Sequence, residues 1–461
     1  MEKKWIVPFA LLVLASIVGL FVPVAPINPN AKPIVAADVA WMLTATGLVL
    51  LMTPGLSFFY GGMVGRRNVI STMLQSFIAM GVISILWIVC GFSLAFGESL
   101  GGEQLGLIGN PLTFFMFQGV SVSTDEALAP TIPLVLFSLF QLKFAIITPA
   151  LITGSFAERV RFSSYLLFIC LFSLFIYAPL AHWTWHPNGF LRNWGVLDFA
   201  GGTVVHMSAG FAALAGALFL GRRKSHHSGE AHTPANIPFV ILGTGMLWFG
   251  WFGFNAGSAL AANETATSAF LATNTASAAA MLSWIFFDGL RGRKPSALGA
   301  CVGAVVGLVA ITPAAGYVSV GASLFIGTIA SIVSNLAVHW KNQSTLDDTL
   351  DVFPCHGVGG IVGMIATGIF AQGVGLAFGK TETFLYHLLA LLIVSVYTFG
   401  GSYILYKVTD MIIPLRVREE QEEIGLDISQ HGESLDSFAP TLGSSHTKSV
   451  SQDAPITASV N

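Results

Sequence analysis

The sequence predicts an all-α membrane protein, a bundle of transmembrane helices, and three observations carry that expectation. The 461 residues are 54% hydrophobic and only 10% charged, with a mean hydropathy of +0.73, whereas a soluble domain is about 25% charged. Long apolar runs separated by short polar ones recur along nearly the whole chain. They are continuous rather than alternating, which argues for helices and against transmembrane strands. The 49 glycines suit helices that approach closely through small residues. A net charge of −3 is near neutral and gives no indication of nucleic-acid binding.

Taken in order, MEKKWIVPFALLVLASIVGLFVPVAP (residues 1–37 with its flank) has a basic start and an apolar stretch of signal-peptide length. It is read as a leader to be cleaved, with retention as an extra helix as the alternative. Eleven spans follow, at roughly 38–62, 69–95, 133–157, 163–185, 199–220, 237–261, 268–288, 297–313, 321–340, 352–371 and 384–413. The transmembrane domain therefore covers 38–413. Alternate connections carry Arg66 and Arg67; Arg159 and Arg161; Arg222, Arg223 and Lys224; Arg291, Arg293 and Lys294; and Lys341. The opposite connections hold only Arg192 and Lys380. By the positive-inside rule the Arg66 side is cytoplasmic, with the N-terminus of the domain outside and the C-terminus inside. The connection at 97–131 has no Lys or Arg and is expected to fold over the outer face. Residues 414–434 form a charged tail with a short amphipathic helix and a turn at Gly425. Residues 435–461, rich in Ser and Thr without periodicity, read as disordered. Cys90, Cys170, Cys301 and Cys355 lie in or beside apolar runs without C-x-x-C spacing and read as small packing residues.

An internal repeat emerges from two stretches, DFAGGTVVHMSAG (198–210) and LDDTLDVFPCHGVGG (346–360). Asp198 precedes His206 by eight residues and Asp348 precedes His356 by eight, with Gly210 matching Gly360. The stretches fall in the fifth and tenth spans, which enter the membrane from opposite sides. That is the pattern of an inverted five-plus-five repeat, with a site near the midplane where the halves meet. Eight residues of helix would set each histidine about 12 Å below its aspartate. Ionisable groups inside a span are costly and usually face a pathway. A neutral imidazole donates from one nitrogen and accepts on the other, so two of them satisfy one another while lining a narrow pore. The alternative is that each hydrogen-bonds a carbonyl of a neighbouring helix. Two ligands are too few for a metal.

Other groupings are weaker. His182 and His186 lie at i, i+4 without the glutamate of a zinc motif, and read as part of an interfacial aromatic belt. HHSGEAH (226–232) reads as a solvated loop. Phe140 and Phe144 share a helix face, and GWFGFNAGSA (250–259) offers Trp251, Phe252, Phe254 and Ser258. Such residues are packing by default, but an aromatic mouth with a hydroxyl acceptor suits a cation. Lys143 lies about 100° around the helix from Phe144 and is expected to snorkel rather than enter the pore.

With these residues in view, the sequence resembles the ammonium transporter (Amt/Mep/Rh) family, on its Amt side. The resemblance runs from GLSFFYGGMVGRRN (55–68) to the HGE of the tail. It rests on FQLKFAIITPALITGSFAER, LDFAGGTVVHMSAG, GWFGFNAGSAL, DDTLDVFPCHGVGG and LRVREEQEEIGLD. It implies eleven helices in an inverted repeat, a homotrimer with one pore per subunit, and no enzymatic activity or cofactor. It further implies an external ammonium site at Phe144, Trp185 and Ser258. A phenylalanine gate at Phe144 and Phe254, pore histidines His206 and His356, and a supporting Asp198 complete the assignment. Ammonium or methylammonium, the lipid bilayer and, on the cytoplasmic face, a PII signalling protein of the kind that blocks bacterial relatives are the partners it implies. The location it implies is a plasma or bacterial inner membrane. Ammonium would be deprotonated and conducted as ammonia, with net charge transfer. An electroneutral gas channel, or a sensor with little flux, are the alternatives. An intramembrane enzyme is disfavoured because no nucleophile or metal cluster accompanies the histidines.

Overall fold

The apolar runs fold as helices, seen here in a computed structural model that describes residues 5–102, 105–228 and 232–435. In chain order they are α1 (Ile6–Gly19), α2 (Ala36–Met63), α3 (Arg66–Phe96), α4 (Leu134–Ser155), α5 (Phe162–Asn193), α6 (Gly202–Leu220) and α7 (Ile237–Gly257). They continue as α8 (Glu264–Leu290), α9 (Ala297–Ile311), α10 (Val320–Asn342), α11 (Phe353–Phe370), α12 (Glu382–Ile412) and the short α13 (Glu419–Ile424). Among the described residues ten, α2 to α8 and α10 to α12, are long and apolar enough to cross a membrane. The chain is thus a multi-pass helical membrane protein. The segment expected at 297–313 is shorter than the other spans. Its 15 residues reach about 22 Å, against roughly 30 Å of bilayer hydrocarbon. The reason is local: Pro313 follows a tight turn at Thr312, and α9 lies inside the bundle against α8, α10 and α11.

The most extensive helix pair is α2 with α7. It depends on backbone proximity, since a β-carbon at Gly243 would stand 2.3 Å from the Phe59 nitrogen. Around this pair, α8, α9 and α10 form one cluster, and α6 packs on α12. The histidine-bearing α6 and α11 lie within this packing and are largely buried. Helix α1 is different, as none of its residues is buried. The 97–131 connection carries a small antiparallel hairpin, β1 (Thr124–Asp125) with β2 (Ala129–Pro133). It also anchors Trp183, whose indole donates to the Leu107 carbonyl at 2.5 Å.

The connections at the Asp348 end are tied together by a buried charge network. Arg159, fully buried, donates to the Asp347 carboxylate at 3.0 Å and to its carbonyl at 2.6 Å. Arg223 grips the same carboxylate with two nitrogens, each at 3.0 Å, and reaches Glu158 at 2.7 Å. Burial alone would raise the Glu158 and Asp347 carboxyls, but Arg223 beside the first and Arg159 and Arg223 beside the second hold both below the usual carboxylate range. Two buried guanidiniums sharing carboxylates in this way satisfy charges that would otherwise be very costly to bury.

The tail folds back onto these connections. Arg416 bridges to Val160 and donates to the carbonyls of Leu220 and Arg222, both at 2.8 Å. After α13 the chain turns at Gly425, and Asp427 accepts from the amides of Ile70 (3.1 Å) and Ser71 (2.7 Å) at the start of α3. The stretch expected to be disordered lies, beyond residue 435, outside the described residues.

Candidate functional site

Both histidine segments are built the same way. The eight residues from aspartate to histidine are not continuous helix, as the spacing alone implied. Asp198 and Asp348 stand before their helices, and their carboxylates turn forward to cap them. Asp198 accepts from the amides of Gly201 (2.8 Å), Gly202 (2.6 Å) and Thr203 (2.7 Å) and from the Thr203 hydroxyl (2.5 Å). Asp348 accepts from the amides of Val352 (3.1 Å) and Phe353 (2.7 Å). Carboxylates at these positions satisfy orphan N–H groups and favour the helix dipole. Each helix then opens with a π-turn, Gly202–Met207 and Phe353–Val358, and each π-turn carries its histidine.

The two histidines meet, with Nδ1 to Nδ1 at 3.4 Å and ring centroids 5.5 Å apart at 24°. One of the two nitrogens must donate and the other accept. The Nε2 of His206 is buried with no protein partner among the described residues. The helices come this close because a β-carbon at Gly210 would lie 2.2 Å from the Gly357 nitrogen. On the Asp198 side of His206, Trp251 stacks at 5.3 Å and Phe254 at 6.0 Å. A small void of about 10 Å³ borders both histidines, walled by Met52, Leu56, Phe59, Ile147, Leu151, Trp251 and other apolar side chains. A second of about 10 Å³ lies beyond His356, against Tyr60, Met63, Leu350 and Cys355. Each has room for about one water-sized molecule.

Towards the Asp198 end the site opens. Phe144 packs on Phe254 at 4.2 Å, on Phe140 at 4.9 Å and on Trp185 at 5.7 Å. Above them lies a cavity of about 440 Å³ lined by Phe144, Trp185, Ser258, Asp198, Tyr317 and neighbours. The Ser258 hydroxyl donates to the Phe254 carbonyl at 2.8 Å, so its oxygen keeps lone pairs for another donor. The Trp185 indole N–H is spent on the Asp198 carbonyl at 3.1 Å, which leaves the ring face, not the polar edge, as its contribution. The Asp198 carboxylate accepts four hydrogen bonds in capping α6.

The structure thus brings together Phe144, Trp185, Ser258, Phe254, His206, His356 and Asp198. Phe252 does not join them: it stacks on Phe270 at 3.9 Å, because its side of α7 meets α8. His182 and His186 are also not displayed at an interface. They are buried and stacked at 4.3 Å, with His182 bonded to Ser99 (2.9 Å) and the Ala95 carbonyl (3.1 Å). Lys143 is half-buried and is not among the residues lining the cavity. Sequence reasoning missed Thr203, whose hydroxyl donates to the Asp198 carboxylate, and Thr312, which accepts the Trp251 indole N–H at 2.9 Å.

The family model described as Ammonium Transporter Family matches residues 40–435. The chain belongs to the ammonium transporter family. Among relatives, an ammonium transporter of Aquifex aeolicus is 46% identical over 404 residues, covering 86% of this chain and 92% of that protein. The ammonium transporter Amt1 of Archaeoglobus fulgidus is 42% identical, covering 86% and 98%. The crystal structure of Saccharomyces cerevisiae Mep2 superposes with a TM-score of 0.79 at 33% identity, covering 84% of this chain and 89% of that one. A solved Sensor Amt Protein superposes equally, with a TM-score of 0.79 at 29% identity, covering 86% and 98%. The family is one of transporters rather than enzymes.

Proposed function

We propose that this chain is an ammonium transporter that takes up ammonium at the Asp198 end, strips it of a proton and passes ammonia along the histidine pair. The carrying observation is the Nδ1 contact of His206 and His356, bordered by two apolar voids too small for a hydrated ion. Ammonium and potassium are alike in size and charge, and either one bare in apolar surroundings is very costly. Only ammonium has a second option, since desolvation can lower a buried amine's pKa by about 3–5. In this reading the Phe144 and Trp185 rings attract the cation through their faces, and Ser258 accepts one of its N–H groups. Passage beneath Phe144 and Phe254 removes the last water, and the proton leaves.

The products are one ammonia and one proton for each ammonium. The ammonia moves past His206 and His356, donating or accepting as each imidazole requires. The shared Nδ1 contact also offers the proton an inward path, so transport moves net charge. In this reading Asp198 lies outside and the tail inside, the spans number eleven with α9 counted, and the assembly is a homotrimer in the cell membrane. A PII signalling protein is the partner for the cytoplasmic face.

The likeness to a Sensor Amt Protein favours a second reading, ammonium binding with little flux. Purified protein in potassium-loaded liposomes, given an ammonium step, tests both. A sustained current specific to ammonium, lost in His206→Ala and His356→Ala, supports transport. Saturable ammonium binding with neither current nor internal pH change supports sensing. Unaltered flux in both variants removes the histidines from the mechanism.

A further inference from the structure

His387 lies on α12, outside the paired-histidine site, and it is fully buried. Its Nδ1 stands 2.9 Å from the Met364 carbonyl on α11, and its Nε2 stands 2.9 Å from the Leu197 backbone nitrogen. A carbonyl only accepts and a backbone N–H only donates. The ring is therefore the Nδ1–H tautomer, with Nε2 accepting. A single rigid side chain thus joins the second half of one histidine-bearing helix to the loop that leads into the other. Leu197 is the residue before Asp198. The Asp198 carbonyl holds the Trp185 indole, and the Asp198 carboxylate holds the start of α6. The same loop is fixed on its other side by the Phe199 N–H, which donates to Pro313 at 3.1 Å.

We infer that His387 is a positioning residue for the cation site: it holds the Leu197–Asp198 loop so that Trp185 presents its ring face to the cavity. The inference rests on the proposed reading of Phe144, Trp185 and Ser258 as the place where ammonium is taken up. The path from His387 to substrate runs through Leu197, Asp198 and Trp185. The π-turns that carry the pore histidines keep their own caps without it. His387 therefore governs how tightly ammonium is held before it is committed to the pore, and has little effect on the maximal rate.

The test uses full-length protein in liposomes and the current evoked by graded ammonium. A saturable ammonium current in the wild type is the precondition, and its absence would overturn the proposed function rather than this inference. Given that current, His387→Leu should raise the half-saturating ammonium concentration at least fivefold, with the maximal current within twofold of wild type. His387→Gln, which retains a donor and an acceptor, should shift it by less than twofold. An unchanged half-saturating concentration in His387→Leu, a lost maximal current at unchanged half-saturation, or equal shifts in both variants would overturn the assignment. If His387→Leu does not fold, nitrogen NMR of wild-type protein labelled at histidine decides. An unprotonated Nε2 at His387 is expected, and a protonated one overturns it.

Discussion

Gly210 and Gly357 lie in such close contact that a β-carbon on the first would stand 2.2 Å from the backbone nitrogen of the second. This is where α6 and α11 touch, close to the two imidazoles. Gly210→Ala requires one backbone to move away from the other, which should lengthen the 3.4 Å histidine contact. The expected result is folded protein with ammonium-evoked current reduced at least tenfold. Current in liposomes, with size-exclusion chromatography as the folding control, checks it.

Ser258 carries the hydroxyl whose own proton is spent on the Phe254 carbonyl. Ser258→Ala removes a hydrogen-bond acceptor from a charged ligand, an interaction worth about 1.5–3 kcal/mol. The half-saturating ammonium concentration should rise roughly tenfold to hundredfold, the span that this energy gives at about 1.4 kcal/mol per power of ten. The maximal current should stay near wild type, because the alanine leaves the histidine pair untouched. A concentration series of ammonium-evoked currents reads both quantities.

The network of Arg159, Asp347, Arg223 and Glu158 makes the fold acid-sensitive. Both carboxyls are held below their usual values in the folded state. Their stabilisation is complete above the unfolded carboxylate value of about 4 and is lost as pH falls below it towards the folded values. Melting temperature in detergent should be level from pH 7 to about 5 and drop below about 4. Asp347→Ala, which leaves Arg159 buried without its carboxylate, should destabilise by about 3–5 kcal/mol at neutral pH. It should also flatten the acid drop.

Asp427 in the tail caps the start of α3. Asp427→Ala should cost about 1 kcal/mol of local stability, the usual worth of a helix cap. The first turn of α3 should fray and the tail should detach. Hydrogen exchange at 69–72 and at 415–431 should rise together in this variant, whereas exchange confined to the tail would show that the cap is not what holds it.

Much of the site was legible because it is written twice. A histidine eight residues after an aspartate in two spans pointed to His206 and His356, and the i, i+4 spacing of Phe140 and Phe144 placed both on one face. The aspartates were misread as the tops of continuous helices, because spacing cannot show that a carboxylate stands outside a helix and caps it. Phe252 could not be told apart from its neighbours Trp251 and Phe254 for a different reason. Helix α7 is apolar all round, and such a helix gives no sign of which face meets a partner. His387 was invisible because its acceptor contact is with Leu197, 190 residues away. No local pattern marks a side chain whose meaning lies in a distant backbone amide. The expected segment at 297–313 ran to Pro313, whereas the helix α9 stops at Ile311, just ahead of it.

The two capped π-turns have a consequence for the economy of the cell. Read from either end, the conduit presents the same sequence of parts: a carboxylate, a tightened turn, an imidazole. Such a passage stores no preference for one direction. What differs between its ends is the aromatic antechamber at one and the folded-back tail at the other. On the proposed reading, whether a cell gains or loses nitrogen through it is then decided by the gradient and the voltage rather than by the order of its parts.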